Sequence, residues 1–525
     1  MLCIVKSLKI AKKHKNRQLT QKRNKMYQIT IYLLTFCERS GIINMKKIRR
    51  FYAMKDAVVR IEGIEIENFK NVRFGSIRFD SNKNYKSSIL GLYGQNGSGK
   101  TALIDAIELL KLCLSGKTIP VSFADHVNVD AEYATLRYTF KVINNKTNGE
   151  YEAIYEISLR KEIDESIQNT EINDASIQTF KSVVFNEILS GSYKSEEQKV
   201  KLLPIIDTRT DDVFVPASKY NLLIGTNKKT KSNLLSYKKL TETTSRSFIF
   251  AKELLNELRK NRKAEKPTYY HDLIEALIWF GNYELFVVNT SNSGLITLDA
   301  LPLTFRYDER NKFSIGSIMV NLNHPTLIPN DAYELVTKLI NNMNIVLTQI
   351  VPGLKIGVKN LGNELSADST VRTKIEIVSL KNSKELPLKY ESEGIKKIIS
   401  ILQLLIVLYN KASITVAVDE FDSGVFEYLL GEMLRIISEK GKGQLIFTSH
   451  NLRPLETLDK SFIAFTTTNP DNRYIRFTNI KTNNNLRDFY YRDIVLGEQN
   501  EPVYEPTNNY EIALAFREAG ELSGS

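Results

Sequence analysis

From residue 57 to 80 the chain, AVVRIEGIEIENFKNVRFGSIRFD, alternates apolar and polar positions. A period of two predicts half-buried strands, with Val59, Ile61, Ile64, Ile66, Phe74, Ile77 and Phe79 available to one face or another. The run SSILGLY at 87–93 predicts a short, fully buried strand. Beyond residue 100 the period changes, and Ala102, Leu103, Ile107, Leu110 and Leu114 recur at helical spacing. ATLRYTFKV and EYEAIYEISLR flank INNKTNG, which predicts an antiparallel hairpin turning at Gly149, and the acidic stretch KEIDESIQNTEINDAS predicts a loop. Residues 231–266 predict one helix with exposed charges, stopped by Pro267. Strand-like pieces at 296–322, the helix DAYELVTKLINNMNIVLTQIV and two further hairpins lead to residue 390.

The last third has a different rhythm. YESEGIKKIISILQLLIVLYN is apolar on all sides after its first turn, which predicts a helix buried along most of its length. SITVAVDE (413–420) and GQLIFTSHN (443–451) are short apolar runs ending in polar groups, separated by a helical pattern in which Val425, Leu429, Met433, Ile436 and Ile437 form one face. Strand, helix, strand in that order predicts a parallel βαβ unit with both carboxyl ends on one edge of the sheet. A hairpin, FIAFTTTNPDNRYIRFT, and a helix-like NLRDFYYRDIVLG follow. There is no internal repeat, extended heptad array or low-complexity tract.

The chemistry gathers at the ends of these runs. LYGQNGSGKT places Gly94, Gly99, Lys100 and Thr101 in the pattern G-x-x-x-x-G-K-[ST], between a strand and a helix. In such a loop, completed here by Asn96, Gly97 and Ser98, main-chain N–H groups wrap phosphates, the lysine reaches the β and γ groups, and the hydroxyl binds Mg²⁺. The following helix aims its positive end at the anion. Asp419, at the end of its strand, is expected beside Thr101 as a metal-holding carboxylate, and Glu420 to polarise an attacking water. His450, ending the next strand on the same edge, is expected near the γ-phosphate. Ser392 and Gly394 open the buried helix, where the tripeptide taken alone reads first as a plain serine cap.

Charge changes the picture only at the amino terminus. Of the formal net charge of +12, residues 1–44 carry +9 and MKKIRRFYA (45–53) carries +4, leaving −1 for the rest. Acidic partners such as nucleic acid are therefore not indicated by the body of the chain. The cluster Arg259, Lys260, Arg262, Lys263 is the best candidate DNA-contact patch outside the amino-terminal segment, but its interleaving with Glu253, Glu257 and Glu265 favours a solvated helix face. ERSGIINMKK suggests translation starting at Met45 or Met54; otherwise the leading segment is a disordered basic arm. Its apolar run YQITIYLLTFC is too short to span a bilayer. Three cysteines, two of them in that segment, argue against a disulfide framework or zinc site and for a cytoplasmic location.

Taken together, NFKNVRFGSIRFD, GQNGSGKT, ESEGIKK, VAVDEFDSG and IFTSHN resemble, in order, the ABC-type ATPases of the SMC, RecF and OLD group. The resemblance implies an α/β fold: an ABC-type P-loop head with a mixed parallel sheet, an antiparallel β layer and a large α/β insertion between loop and signature. It implies ATP and Mg²⁺, with Lys100 and Thr101 as Walker A residues, Asp419 and Glu420 as the Walker B pair, and His450 as the switch histidine. Ser392 and Gly394 match the signature, although SEG departs from the transporter form SGG. Asp422 and Ser423 fall at the D-loop. Gln178 and Gln198 both remain open as the Q-loop glutamine.

The expected divisions are 1–53 (arm), 54–160 (N-lobe), 161–385 (insertion), 386–490 (C-lobe) and 491–525 (tail). Signature residues are implied to act on ATP held by a second copy, giving a homodimer or higher oligomer. The 75 residues after His450 are too few for the nuclease domain of OLD proteins, which suggests a stand-alone subunit serving a separate effector, nuclease or toxin, in anti-phage defence. The alternatives are a RecF-like ATPase that clamps DNA and, less compatible with the long insertion, a transporter ATPase.

Overall fold

The structure is a computed structural model, and it describes residues 57–79, 88–144, 148–164, 180–262, 269–309, 312–365, 370–381, 384–477, 485–497 and 499–523. The basic arm, the run 27–37, Lys263 and Gln178 lie outside them. Among the described residues no helix is long and apolar enough to cross a membrane. The chain is mixed α/β and divides into two compact units: Ile48–Gly294 with Glu393–Ile398 and Leu404–Ser525, and Leu295–Ser392 with Ile399–Gln403.

The larger unit contains two six-stranded sheets among its described residues. One is antiparallel, in the order β2-β1-β4-β5-β6-β7, where β1 is Ala57–Phe69, β2 Val72–Arg78, β4 Tyr133–Asn144, β5 Gly149–Ile163, β6 Phe180–Lys194 and β7 Lys199–Asp207. Its strands bury alternate residues, as their sequence pattern requires. The other runs β18-β17-β3-β16-β15-β8: Tyr474–Ile475, Ile463–Thr466, Ser88–Tyr93, Gln444–Thr448, Thr415–Val418 and Leu285–Val288. Its five strands from β17 to β8 are joined by four parallel pairings, and β15, β16 and β17 are buried at every position.

Helix α1 (Lys100–Leu114) packs against strands of both sheets and against the helix Tyr269–Tyr283, so one hydrophobic core joins them. A Cβ on Gly281 would overlap Leu114, so glycine allows that close helix crossing. The sheets are also tied by the buried Gln444. Its side chain accepts from the Ile61 N–H (3.1 Å) and donates to the Ile61 carbonyl (2.8 Å) where the β1 ladder shifts register between Ile61 and Gly63.

The smaller unit holds the hairpin of β9 (Ala300–Glu309) with β10 (Lys312–Asn321), a sheet in the order β11-β13-β12 (Thr326–Pro329, Val371–Lys381, Leu354–Leu365) with β14 (Lys384–Pro387) pairing β13, and the helix Asn330–Ile350 lying along β12. Asn344 fixes that helix by exchanging two hydrogen bonds with Ile356, 2.7 and 2.8 Å.

Several expectations are revised. The single helix over 231–266 is two, Lys228–Thr243 and Lys252–Asn261. The break at 244–251 contains Ser245 at φ 53° and buries Phe248, Ile249 and Phe250, held by the buried Glu187, which accepts from the Phe248 N–H (2.5 Å) and the Ser247 hydroxyl. The positive-φ residue near the β4–β5 turn is Asn148 (φ 47°), with Gly149 already in the strand. The buried face of Glu427–Lys440 is Leu430, Met433, Leu434 and Ile437, while Ile436 is exposed. Strands within 161–385 join different sheets. β6 and β7 complete the antiparallel sheet and β8 the parallel one, because their ladders need those neighbours, and a separate unit begins near residue 295.

Candidate active site

β3 delivers the chain into the loop 94–99, which turns through Gly94 (φ 151°), Gly97 (φ 76°) and Gly99 (φ 94°) before α1. Each glycine has its own reason. A Cβ on Gly94 would overlap the Thr466 hydroxyl at the end of neighbouring β17, whereas one on Gly97 would meet nothing within 4 Å and faces open space. Gly97 and Asn96 are exposed; Ser98 is buried and hydrogen-bonds Thr466. Tyr474 donates to the Gly99 carbonyl (3.0 Å), and Asn71 donates to the Gly97 carbonyl. The loop is thus held from outside by β17, β18 and the β1–β2 turn.

Lys100 is buried, and its ammonium donates to the carbonyls of Gly94 (2.9 Å) and Gln95 (2.8 Å). Burial pulls its pKa down to about 8, opposed by the charges of Asp419, Asp422 and Glu420. Those carboxylates come from the turn after β15. Parallel pairing of β3 with β16 and of β16 with β15 brings the ends of all three strands to one edge. Thr101, next in the chain, is half-buried at the first turn of α1.

Asp419 is fully buried. Its Oδ1 accepts from the Thr448 hydroxyl (2.5 Å), while Oδ2 is buried without a hydrogen-bond partner. An orphaned anionic oxygen of this kind fits a bound divalent cation, with Asp419 and Thr101 the residues to hold it. No group of three or more His, Cys, Asp or Glu suited to a metal exists among the described residues, so the site would suit a metal ligated largely by substrate and water.

Glu420 adopts φ 47°, and its N–H donates to Thr448 Oγ1 (2.8 Å). Thr448 therefore orients both acids, a role with no sequence signal beyond its place at a strand end. Asp422 Oδ2 accepts from the N–H groups of His450 (3.0 Å) and Asn451 (2.9 Å), closing the turn after β16. The His450 ring is exposed, and its pKa is lowered, first by desolvation and then by the Lys100 charge, against Asp422, Glu420 and Asp419.

The helix Glu393–Asn410 is buried along most of its length. Ser392, just before it, is exposed, but Gly394 is buried where a Cβ would overlap the carbonyl of Gly424 in the same chain. Gln198 is exposed in the β6–β7 turn. The polar amide carried to the strand-end edge is instead Asn289: Val288 pairs with Val418, so Asn289 lies level with Asp419, and it donates to Glu108 of α1 (2.9 Å).

Residues 64–277 match an AAA domain family. Asp419, Glu420 and His450 lie beyond that stretch and join it through the parallel sheet. No curated protein matches the chain. Among solved structures it is similar to the Thermotoga maritima SMC head domain, at 14% identity over 80% of this chain and 99% of that one, with a TM-score of 0.34. It is also similar to an SMC head bound to the C-winged helix domain of ScpA (13%, 80% and 98%, TM-score 0.38) and to RecF of the RecFOR pathway (14%, 79% and 98%, TM-score 0.32). Similarities this weak add nothing to what the loop and carboxylates themselves display.

Proposed function

We propose that this protein binds and hydrolyses ATP with Mg²⁺ and assembles through the bound nucleotide. The observation that carries the reading is the convergence of a glycine-turned loop, the buried Lys100 and the acids of the β15 turn, among them the partnerless Asp419 Oδ2, on one edge of a parallel sheet. ATP phosphates lie along the loop, and Lys100 leaves the Gly94 and Gln95 carbonyls to meet them. Asp419 and Thr101 hold Mg²⁺, which when bound neutralises phosphate charge. Glu420 accepts a proton from the water that attacks the γ-phosphorus, and ADP leaves. His450, near Lys100 in electrostatic terms, is suited to contact the transferred group. The exposed Ser392 at a helix start is suited to seal ATP held by a second copy.

Glu420→Gln is expected to keep ATP binding, lose about 10²- to 10⁴-fold in kcat and accumulate as a dimer in ATP. Lys100→Ala is expected to lose binding. Isothermal titration, phosphate release and sedimentation measure these; hydrolysis only a few-fold slower in Glu420→Gln would remove Glu420 from this role.

Resemblance of the motif set to OLD-type ATPases supports a finer reading, in which the assembly controls a separate effector in anti-phage defence. One observation favours the DNA-binding alternative. The helix Lys228–Thr243 exposes Lys228, Lys229 and Lys239, although Arg259, Lys260 and Arg262 are engaged by Glu275, Glu257 and Asp272. Hydrolysis stimulated by duplex DNA, and lost in Lys228→Glu/Lys229→Glu, would select it.

A further inference from the structure

Glu420 is not glycine, yet it holds a left-handed backbone, which costs a β-carbon-bearing residue on the order of 1 kcal/mol and persists only where neighbours fix it. Its N–H is held by Thr448 (2.8 Å). Its carbonyl accepts from the Ser423 N–H (3.1 Å) and from Nζ of Lys397 (3.2 Å). Lys397 lies one turn inside the helix Glu393–Asn410 and is only 2% exposed. That helix start cannot slide relative to the acidic turn, because Gly394 sits against Gly424 with no room for a side-chain atom. A leucine or methionine would fill the same space without desolvating an ammonium, so the position tolerates a cost that apolar packing does not require. Burial lowers the Lys397 pKa, while Glu420, Asp419 and Asp422 act to keep it charged.

We infer that Lys397 is a positioning residue: by donating to the Glu420 carbonyl it holds the left-handed peptide and so aims the Glu420 carboxylate. The inference rests on the base role proposed for Glu420 and goes beyond it, because it ties the helix that begins at Glu393, just after Ser392, to the acid of its own copy. Seating that helix tip on a partner's nucleotide would then bear directly on the aim of the local glutamate.

The test is a double-mutant cycle on the full chain, with ATP affinity, kcat and thermal stability read for each protein. Lys397→Met is expected to lower kcat about 10- to 100-fold while the Kd for ATP stays within about twofold, the signature of misplaced chemistry rather than lost binding. Lys397→Arg is expected to recover part of that loss. In the Glu420→Gln background Lys397→Met is expected to change nothing further, a result that a merely structural lysine would not give. Unchanged kcat in Lys397→Met, or an equal loss in both backgrounds, overturns the inference. So does failure of both Lys397→Met and Lys397→Leu to fold, since a positioning role leaves the fold intact. The base role fails separately, if Glu420→Gln alone hydrolyses ATP at nearly the normal rate.

Discussion

The two sheets of the larger unit bury their residues in opposite ways. In the antiparallel sheet, strands of 13 and 15 residues bury every second side chain along much of their length. In the parallel sheet, β15 and β16 have four and five residues and bury all of them. A strand covered on both faces meets solvent only at its ends, so polar chemistry has nowhere else to go. Lys100, Asp419, Glu420 and His450 follow such ends, and Gly94 and Glu420 there adopt positive φ. The antiparallel sheet also has left-handed residues, Asn68, Lys70, Asn148 and Asn186, but they make turns and a register shift. Thus one sheet supplies stability through area, and the other supplies a site through its edge.

The largest expected effect tests whether these duties separate. Phe140 of β4 is fully buried and meets Phe280 edge-on, centroids 6.4 Å apart. Phe140→Ala is expected to remove about 3–5 kcal/mol of stability, read by denaturant unfolding, while ATP affinity and kcat below the transition stay near wild type. A matching fall in kcat would show that the antiparallel layer shapes the site and would break the comparison.

The same contrast explains what the sequence disclosed. Alternation made β1, β2, β4 and β5 legible, and the short apolar runs ending in polar residues located β3, β15, β16 and the edge they share. β8 was not legible, because Leu285–Val288 continues an apolar helix pattern and four residues are too few to show a period. Asn289 was hidden with it. Phe248, Ile249 and Phe250 fit a helix as well as the buried break they form, since what stops the helix is the distant Glu187. Thr448 looks like any strand threonine, and Lys397, one of two adjacent lysines in a helix, looks like a surface residue. Burial of a charge is set by tertiary packing, which spacing along the chain does not encode.

A smaller effect concerns pH at the border of the antiparallel sheet. The His126 ring packs on Phe123 (4.6 Å) and Phe69 (5.4 Å), and its Nδ1 is buried without a partner. Burial, then the charge of Lys70, lowers its pKa to about 4, against Asp125. The unfolded chain therefore takes up a proton near pH 6.5 that the folded chain refuses until about 4. The stabilising contribution is complete above pH 6.5 and lost as pH falls toward 4, on the order of 1–2 kcal/mol for a part-exposed ring after solvent screening. Unfolding free energy measured across that window is expected to slope less in His126→Phe. An equal slope would assign the acid sensitivity to other groups, such as the carboxylates of the parallel edge, and so sharpen the division between the sheets.

The smallest effect probes what else rests on the parallel edge. Residues 501–505 lie on the turn after β17: the Thr468 N–H donates to the Pro502 carbonyl (2.8 Å), the Asn469 and Asn472 amides donate to Glu501 (3.0 and 3.1 Å), and Val503 is buried. From there the Glu505 N–H donates to Oε1 of Gln95 in the phosphate loop (2.9 Å). The bond is exposed, so Gln95→Ala should cost at most about 0.5–1 kcal/mol, seen as faster hydrogen exchange at Glu505 and a change in ATP Kd below about fivefold. Lys100 reaches the Gln95 main-chain carbonyl rather than its side chain, which alanine leaves in place. A Kd change above tenfold would mean that the loop takes its shape from residues 501–505 as well as from β17 and β18, and the edge of the parallel sheet would then extend to that segment.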